Sequence, residues 1–324
     1  MRLATPLTSH RMKGQLVAAA DPAQAVRNTS HASRKAIYIS TYNVRTLGPT
    51  GKLHQLITGC VKNNIDIVAV QEHRWQTSES VSTHEEHLDG ETWRFEYSSA
   101  TPQGQGGVGL LISPKFAKLF ASSEKISERL MRVSFKGNPA TTIIVAYAPT
   151  LDKTDDIKEA FYNDLHTCSA EIPPHTVVIA AGDFNARIGK DSHHSNSRAV
   201  GRYSYHEETN DNGARLVNYS EACNMRSVQF RFPHPAKYLW TWMHANQTSK
   251  AQLDHILISG KWINSIENVR AYNCVELNSD HRILSAKVKI SLRAPKELKC
   301  KRIKYNWSSF IDGSALRAQY EVEV

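Results

Sequence analysis

An acidic, amide-bearing turn follows an apolar run near the middle of the chain. The run covers residues 176–181 (TVVIAA), Gly182 ends it, and Asp183 and Asn185 come next. Residues two apart in an extended segment point to the same side, and open α/β sheets bind their ligands at the carboxyl ends of strands. The spacing therefore indicates a site for polar chemistry, although an Asx-rich turn that only caps a strand has the same residues.

Two earlier strand-like segments end in polar side chains as well. Residues 36–44 (AIYISTYNV) alternate like a strand and carry Asn43, and residues 65–70 (IDIVAV) are followed directly by Gln71 and Glu72. Carboxylate and amide oxygens suit a hard divalent cation. A turn asparagine and a carboxylate facing water are the alternative interpretations.

The last third of the chain adds a carboxylate and a histidine. Asp254 lies inside the apolar run LDHILI, where a buried carboxylate needs a partner and a histidine is the obvious one. Asp280 and His281 directly precede the strand-like run 283–290. Acids and a histidine at strand ends are suited to general acid–base chemistry.

The elements that would position these side chains are strand-like runs interleaved with helical repeats. A helix is predicted over 51–63, another begins at Thr154 as its cap and stops before Pro173, and a third follows a turn at Asn212-Gly213. Further strands are predicted at 93–97, 104–113, 130–135, 141–148, 238–243, 253–258, 269–275 and 283–290.

Composition places the chain among ordinary globular proteins. It has 324 residues, of which 40% are hydrophobic and 22% charged. We find no apolar run of membrane-spanning length and no signal peptide, so no membrane association is expected. The five cysteines stand far apart without a C-x-x-C pair, which indicates free thiols and an intracellular protein of the nucleus or cytoplasm.

The net charge of +9 is concentrated at the two ends of the chain. Residues 1–35 hold six Lys or Arg against one acid, and residues 293–304 again hold six against one. Residues 36–292 are nearly neutral. Basic flanks of this kind favour a nucleic-acid partner, because they release counterions when they contact phosphates, whereas solvated tails are the simpler alternative.

Two other segments have compositions that suggest ligands but lack the expected spacing. Residues 188–210 contain His193, His194 and His206, but no cysteine and no helical H-x₃-H pair, so we interpret them as a solvated surface loop and not as a zinc site. The glycines of 104–107 precede a strand and lack the lysine of a phosphate-binding loop, so they are interpreted as a tight turn.

The order of these motifs resembles the endonuclease/exonuclease/phosphatase superfamily over about residues 36–291. The motifs are TYNVRTL, QEH, YAP, GDFNA, TW, LDHI and SDH. The segments NVRTL, TNDNGARL and YNWSSFID are similar in more detail to the endonuclease domain of RTE-type (BovB-like) LINE retrotransposons and to craniofacial development protein 2-like sequences.

This resemblance implies a fold and a domain organisation. The expected fold is a four-layer α/β sandwich, in which two packed mixed β-sheets are flanked by helices. The domain would span 36–291, with a disordered basic tail at 1–35 and a basic linker or tail at 292–324.

The resemblance also implies a divalent cation, Mg²⁺ with Mn²⁺ possible, and a role for each motif residue. The implied metal ligands are Asn43, Glu72 and Asp280. The implied catalytic residues are Tyr147, Asp183, Asn185, Asp254 and His281. Trp242 of the TW motif is an expected substrate-binding residue, and Arg45, Arg74 and Arg187 are added to it as a cationic patch that could contact phosphates in place of the basic flanks. Whether Asp183 or His281 is the general base stays open, as does a second metal.

The function expected from these implications is a magnesium-dependent endonuclease that nicks DNA, with no protein partner predicted. A phosphatase of the same superfamily is the first alternative, because GDFNAR contains the G-D-x-N-x-R of inositol polyphosphate 5-phosphatases. Their P-x-W-x-D-R-I signature is absent where this chain has AQLDHI. The second alternative is a non-catalytic, domesticated nucleic-acid-binding remnant.

Overall fold

The computed structural model describes residues 36–290. The tails predicted at 1–35 and 292–324 lie outside the described residues, so the domain boundaries stay predictions. Within the described range none of the helices is long and apolar enough to cross a membrane.

The described residues form fifteen strands in two large sheets and one small hairpin. Their bounds are Ile37–Asn43 (β1), Ile67–Gln71 (β2), Val81–Leu88 (β3), Glu91–Ser98 (β4), Val108–Ile112 (β5), Phe120–Ser127 (β6), Leu130–Phe135 (β7), Thr141–Tyr147 (β8), Val177–Asp183 (β9), Met225–Ser227 (β10), Trp242–Met243 (β11), Lys250–Ala251 (β12), Asp254–Ser259 (β13), Ile266–Tyr272 (β14) and Ile283–Val288 (β15). The first sheet has the order β14-β15-β1-β2-β5-β4-β3, the second β10-β13-β9-β8-β7-β6, and β11 pairs with β12.

The α-helices are Lys52–Lys62 (α1), Pro114–Ala117 (α2), Asp155–Ala170 (α3), Lys190–Ser195 (α4) and Asp211–Ala222 (α5), and 3₁₀ turns occur at Gln229–Arg231, Ala236–Tyr238 and Gly260–Ser265. The helices α1, α3 and α5 lie against the outer faces of the two sheets.

Three apolar clusters define four layers. The central cluster joins the inner faces of both sheets, for example Ile39 and Leu110 with Ile143 and Ile179. A second cluster packs α1 on the first sheet, and a third packs α3 and α5 on the second. The predicted four-layer α/β sandwich is therefore confirmed, and its stability rests on apolar burial in three separate interfaces.

Each large sheet contains one parallel strand pair near its centre. These pairs are β1 with β2 and β8 with β9, whereas the other pairings are antiparallel. Gly182 lies where β8 and β9 approach closely, since a Cβ at this position would overlap the Ala146 carbonyl. The carboxyl ends of the two parallel pairs carry the polar side chains that the sequence singled out.

Several local predictions were wrong. Strand β9 continues through Gly182 to Asp183, because the glycine lets the two backbones pack. Asn212 and Gly213 lie in the first turn of α5, which Asn210 caps with its side chain. The strand predicted at 238–243 is reduced to Trp242–Met243, and Thr154 makes no side-chain cap bond. Strands β3 and β6 were not predicted, because their polar, half-exposed residues give no apolar pattern.

The segment 188–210 is also more structured than the predicted solvated loop. It contains α4 and buries Ala199, Val200 and Ser204. The ring of His206 accepts a hydrogen bond from the backbone of Gln252. Burial lowers the pKa of His206 to about 4, with Arg187 adding to the effect, so this ring is a neutral structural acceptor.

Candidate active site

The site lies where the ends of the two parallel strand pairs meet. Asn43 and Gln71 are partners at the ends of β1 and β2, and Tyr147 and Asp183 are partners at the ends of β8 and β9. Asp254, at the start of antiparallel β13, pairs in register with Asp183. Strand geometry thus brings together residues that are far apart in the chain.

Four residues here have left-handed backbone conformations. The φ angles are 60° at Arg45, 56° at Glu72, 63° at Arg74 and 47° at Asn185. Non-glycine residues adopt such angles at a cost of about 1–3 kcal/mol and concentrate at functional sites. The two parallel strand pairs therefore end in turns that are held by surrounding contacts.

We call Glu72, Arg74 and Tyr147 the open half of the site, because they line a pocket of about 320 Å³ that also includes Arg129. The Tyr147 hydroxyl donates to Glu72 Oε1 at 2.9 Å, and Arg74 Nη2 donates to Glu72 Oε2 at 3.2 Å. Burial, followed by the Glu72 carboxylate, raises the pKa of Tyr147, so the phenol remains a donor.

We call Asp183, Asp254 and His281 the buried half of the site. His281 Nδ1 lies 2.9 Å from Asp254 Oδ2, and His281 Nε2 lies 3.8 Å from Asp183 Oδ2. An ionised carboxylate only accepts hydrogen bonds, so Nδ1 carries a proton and donates to Asp254. This leaves Nε2 facing Asp183, and the buried Asp254 has the histidine partner that its apolar surroundings require.

The charges within the buried half shift the titration of its members. Burial would lower the pKa of His281, but the carboxylates of Asp254 and Asp183 outweigh it and raise that pKa to about 9. Burial, reinforced by Asp254, raises the pKa of Asp183 to about 7. At neutral pH the site therefore holds an imidazolium beside a carboxylate that can take up a proton.

Asn43 connects the two halves through its side-chain amide nitrogen. Asn43 Nδ2 donates to Glu72 Oε1 at 2.8 Å and to Asp183 Oδ2 at 3.1 Å, while its Oδ1 accepts from the backbone of Arg45. A carbonyl oxygen has two lone pairs, so one remains on Oδ1 for a cation. The Asn43 side chain therefore links the carboxylates of Glu72 and Asp183 whether or not its Oδ1 also binds a cation.

Asn185 and Asp280 each form a hydrogen bond with another predicted site residue. The backbone N–H of Asn185 donates to Asp183 Oδ1 at 3.0 Å. Asp280 Oδ2 accepts the indole N–H of Trp242 at 3.0 Å, and Trp242 itself forms a backbone bridge with His281. The structure therefore gives Trp242 a contact with a predicted metal ligand.

The three predicted substrate-binding arginines are all exposed, and one of them is hydrogen-bonded to a site carboxylate. Arg45 and Arg187 are exposed, and the Arg74 side chain is 42% exposed despite its bond to Glu72. Cationic side chains around an acidic site are suited to contacts with an anionic substrate.

Two hydroxyl residues that the sequence reasoning missed organise the same strand ends. Ser279 Oγ donates to the Asn43 carbonyl at 2.6 Å and accepts from the backbone of His281. Thr241 Oγ1 accepts from the backbone N–H groups of Leu253 and Asp254. Their positions inside the SDH and TW motifs were the available signal.

The fold and this arrangement define a class of protein, a four-layer α/β sandwich with a carboxylate and histidine site at the strand ends. Residues 40–273 match the model of the endonuclease/exonuclease/phosphatase family. The chain belongs to that family.

Comparisons with individual proteins place the chain within this family. It is 25% identical over 256 residues to craniofacial development protein 2 of Bos taurus, and the match covers 79% of this chain and 41% of that protein. The match to craniofacial development protein 2 of Tragulus javanicus is similar, so the chain spans about two-fifths of the length of both curated relatives.

One solved structure with the same fold is the endonuclease domain of TRAS1, a telomere-specific non-LTR retrotransposon. It is 11% identical, with a TM-score of 0.52 and coverage of 78% of this chain and 98% of that one. Another is the 3′ phosphatase NExo from Neisseria bound to a product DNA hairpin, at 17% identity, a TM-score of 0.55, and coverage of 79% and 100%. At these identities the likeness concerns the fold.

Proposed function

We propose that this protein is a divalent-metal-dependent phosphodiester hydrolase that nicks DNA. The observation that carries the proposal is the joining of Glu72 and Asp183 by the single amide of Asn43, with His281 Nε2 near the same Asp183 oxygen that accepts from Asn43. One carboxylate faces an open pocket and the other faces an imidazolium, which is what cation-assisted hydrolysis of a phosphodiester needs.

Glu72 and Asp280, with the second lone pair of Asn43 Oδ1, are the residues we assign to hold the cation. All three supply oxygen atoms, and Glu72 lies at the open pocket, so the donor set fits hard cations such as Mg²⁺ and, second, Mn²⁺. The cation would neutralise charge on the phosphate and on the leaving oxygen.

The buried half could also be regarded as a metal site, because ligand atoms of Asp183, Asp254 and His281 lie within 4.8 Å of one another. His281 Nδ1 already donates to Asp254 at 2.9 Å, and its Nε2 would have to lose its proton to bind a metal. Its proton already supplies the positive charge between the two aspartates. We therefore assign the cation to Glu72, Asn43 and Asp280, and proton transfer to the buried half.

Asp183 is proposed to accept a proton from the attacking water, because its pKa is raised towards neutrality. His281, held by Asp254, is proposed to donate from Nε2 to a non-bridging phosphate oxygen. Tyr147, at the end of β8, would orient the phosphate. Asn185, just after β9, would orient the Asp183 carboxylate.

DNA is the proposed substrate, and retrotransposon origin the proposed ancestry. The exposed Arg45 and Arg187, together with Arg74 and Trp242, would contact the strand around the scissile phosphate. Relatives support this choice, since TRAS1 is a retrotransposon endonuclease and NExo was solved with a DNA hairpin. We also infer that the protein is intracellular, because DNA, its proposed substrate, is found inside cells.

The test is conversion of supercoiled plasmid to open circles by the purified full-length chain, with Mg²⁺, with Mn²⁺ and with EDTA. The same preparations are incubated with a soluble inositol phosphate, and the Asp183→Asn protein is the matched control. Metal-dependent nicking that the variant lacks supports the proposal. Phosphate release without nicking would establish the phosphatase alternative, and DNA binding without either activity would establish the non-catalytic one.

A further inference from the structure

We propose that Asn212 is a positioning residue of this site, because its side-chain amide ties together the chain segments that leave β8 and β9. The effect on reaction rate rests on the proposed hydrolase function, whereas the effect on the geometry of Asn185 does not. The sequence analysis assigned Asn212 to a turn and to the TNDNGARL segment, without a role in the site.

Asn212 is the second residue of α5, and its side chain is completely buried. Its Nδ2 donates to the carbonyl of Pro149 at 2.9 Å and to the carbonyl of Asn185 at 3.3 Å. Pro149 lies two residues after Tyr147, and Asn185 lies two residues after Asp183. One amide group therefore contacts the segments that follow both strands of the parallel pair.

The segment after β9 depends on this contact, because Asn185 has a φ of 47°. In that conformation its backbone N–H donates to Asp183 Oδ1, and its side-chain Nδ2 donates to the Ala148 carbonyl at 3.0 Å. Asparagine adopts the left-handed region more readily than most residues, and here its side chain and its N–H are both hydrogen-bonded in that conformation. The Asn212 amide donates to the Asn185 carbonyl, and the N–H of the same Asn185 orients the Asp183 carboxylate.

The start of α5 is itself fixed against the same loop. The Asn210 side chain accepts from the backbone of Gly213 at 2.7 Å and of Arg187 at 3.0 Å. Gly213 allows this approach, since a Cβ there would overlap the Arg187 carbonyl. Because these contacts fix the start of α5 against the loop, the Asn212 amide stays within hydrogen-bonding distance of the Pro149 and Asn185 carbonyls.

The experiment compares three variants of the full-length chain. Asn212→Leu keeps the volume and removes both donors, and Asn212→Ser keeps one hydroxyl donor on a shorter side chain. The control is Tyr162→Phe, which removes the hydrogen bond from the Tyr162 hydroxyl to the backbone carbonyl of Asn212 and leaves the amide in place. Hydrogen–deuterium exchange at the Asn185 amide, kcat and KM for nicking, and the melting temperature are measured for each.

Asn212→Leu is expected to speed exchange at the Asn185 amide by about tenfold and to lower kcat by about 10- to 100-fold, with little change in KM. Tyr162→Phe is expected to change neither, and Asn212→Ser to lie between the two. Unchanged exchange in a folded Asn212 variant, or an equal change in the control, overturns the proposal. If the unaltered chain does not nick DNA, the proposed function fails, and the exchange data still decide the role of Asn212.

Discussion

The open half and the buried half of the site share Asn43 as a neighbour but differ in their contact with water. Side-chain exposure is 19% for Glu72 and 42% for Arg74, against 3% for Asp183, 7% for His281 and none for Asp254. A hydrated cation and an incoming substrate need access to solvent. Proton transfer is aided by burial, because a low dielectric strengthens the interactions among the fixed charges.

This difference shows that one fold can separate its site carboxylates by burial, since Glu72 is accessible to solvent and Asp183 and Asp254 are buried. Glu72 follows β2 in the first sheet, whereas Asp183 ends β9, where the neighbouring β13 places Asp254 opposite it and the segment before β15 supplies His281. The division of roles follows from burial, and it can be tested by altering each half separately.

Removing the centre of the buried half should have the largest effect. His281→Ala and Asp183→Asn are each expected to lower kcat for nicking by about 10³-fold, since general acid and base groups typically contribute 10²–10⁴-fold. Circular dichroism and DNA binding should stay close to those of the unaltered chain. Near-normal nicking by either variant would contradict the division into two halves.

Asp254→Asn should have the next largest effect. The variant cannot stabilise the imidazolium, so the pKa of His281 should fall and kcat should drop by about 10²-fold, with DNA affinity changed much less. Glu267→Gln, which removes an exposed acid paired with Lys287, is the control. A parallel loss of affinity and rate would show that Asp254 supports the fold and not the proton chemistry.

Glu72→Gln tests the open half. It is expected to raise the Mg²⁺ concentration for half-maximal nicking by about 10- to 100-fold, and excess metal should restore part of the rate. Glu128→Gln removes another acid of the same pocket and should leave the metal dependence unchanged. The comparison between halves fails if Asp254→Asn shifts the metal dependence as strongly as Glu72→Gln does.

The smallest expected effect concerns stability and not rate. His255 lies beside Asp254 in β13, where its Nε2 donates to the Ala186 carbonyl at 2.8 Å and its Nδ1 contacts the Gln229 amide. Burial lowers its pKa to about 4 from 6.5. As pH falls from about 6.5 towards 4, the unfolded chain binds a proton that the folded chain excludes, so stability should decline.

Urea unfolding at pH 7, 6 and 5 measures this decline. His255→Gln has no titrating ring and should flatten the slope by up to about 1.4 kcal/mol per pH unit. An equal slope in both proteins would mean that His255 is protonated in the folded state, which its two hydrogen-bond partners do not permit.

Much of the fold and part of the site could be predicted from local patterns. The patterns at 36–44, 141–148 and 176–181 predicted strands, and each of these strands was found with a polar site residue at or near its carboxyl end. Asp254 could be assigned a histidine partner because a buried carboxylate inside an apolar strand has few alternatives. Such inferences succeed where hydrophobic periodicity and the cost of burying charge act within a few residues.

The remaining features depend on contacts between distant segments, which local patterns do not encode. The sequence alone determined the central strands, the helices α1, α3 and α5, and the residues capable of chemistry. The tertiary structure decided that Asn43 bridges two carboxylates, that half-buried His206 and buried Asn212 are hydrogen-bonding groups, and that the site carboxylates lie at different depths. The reason is physical, since burial and hydrogen bonding depend on which surfaces pack together in three dimensions.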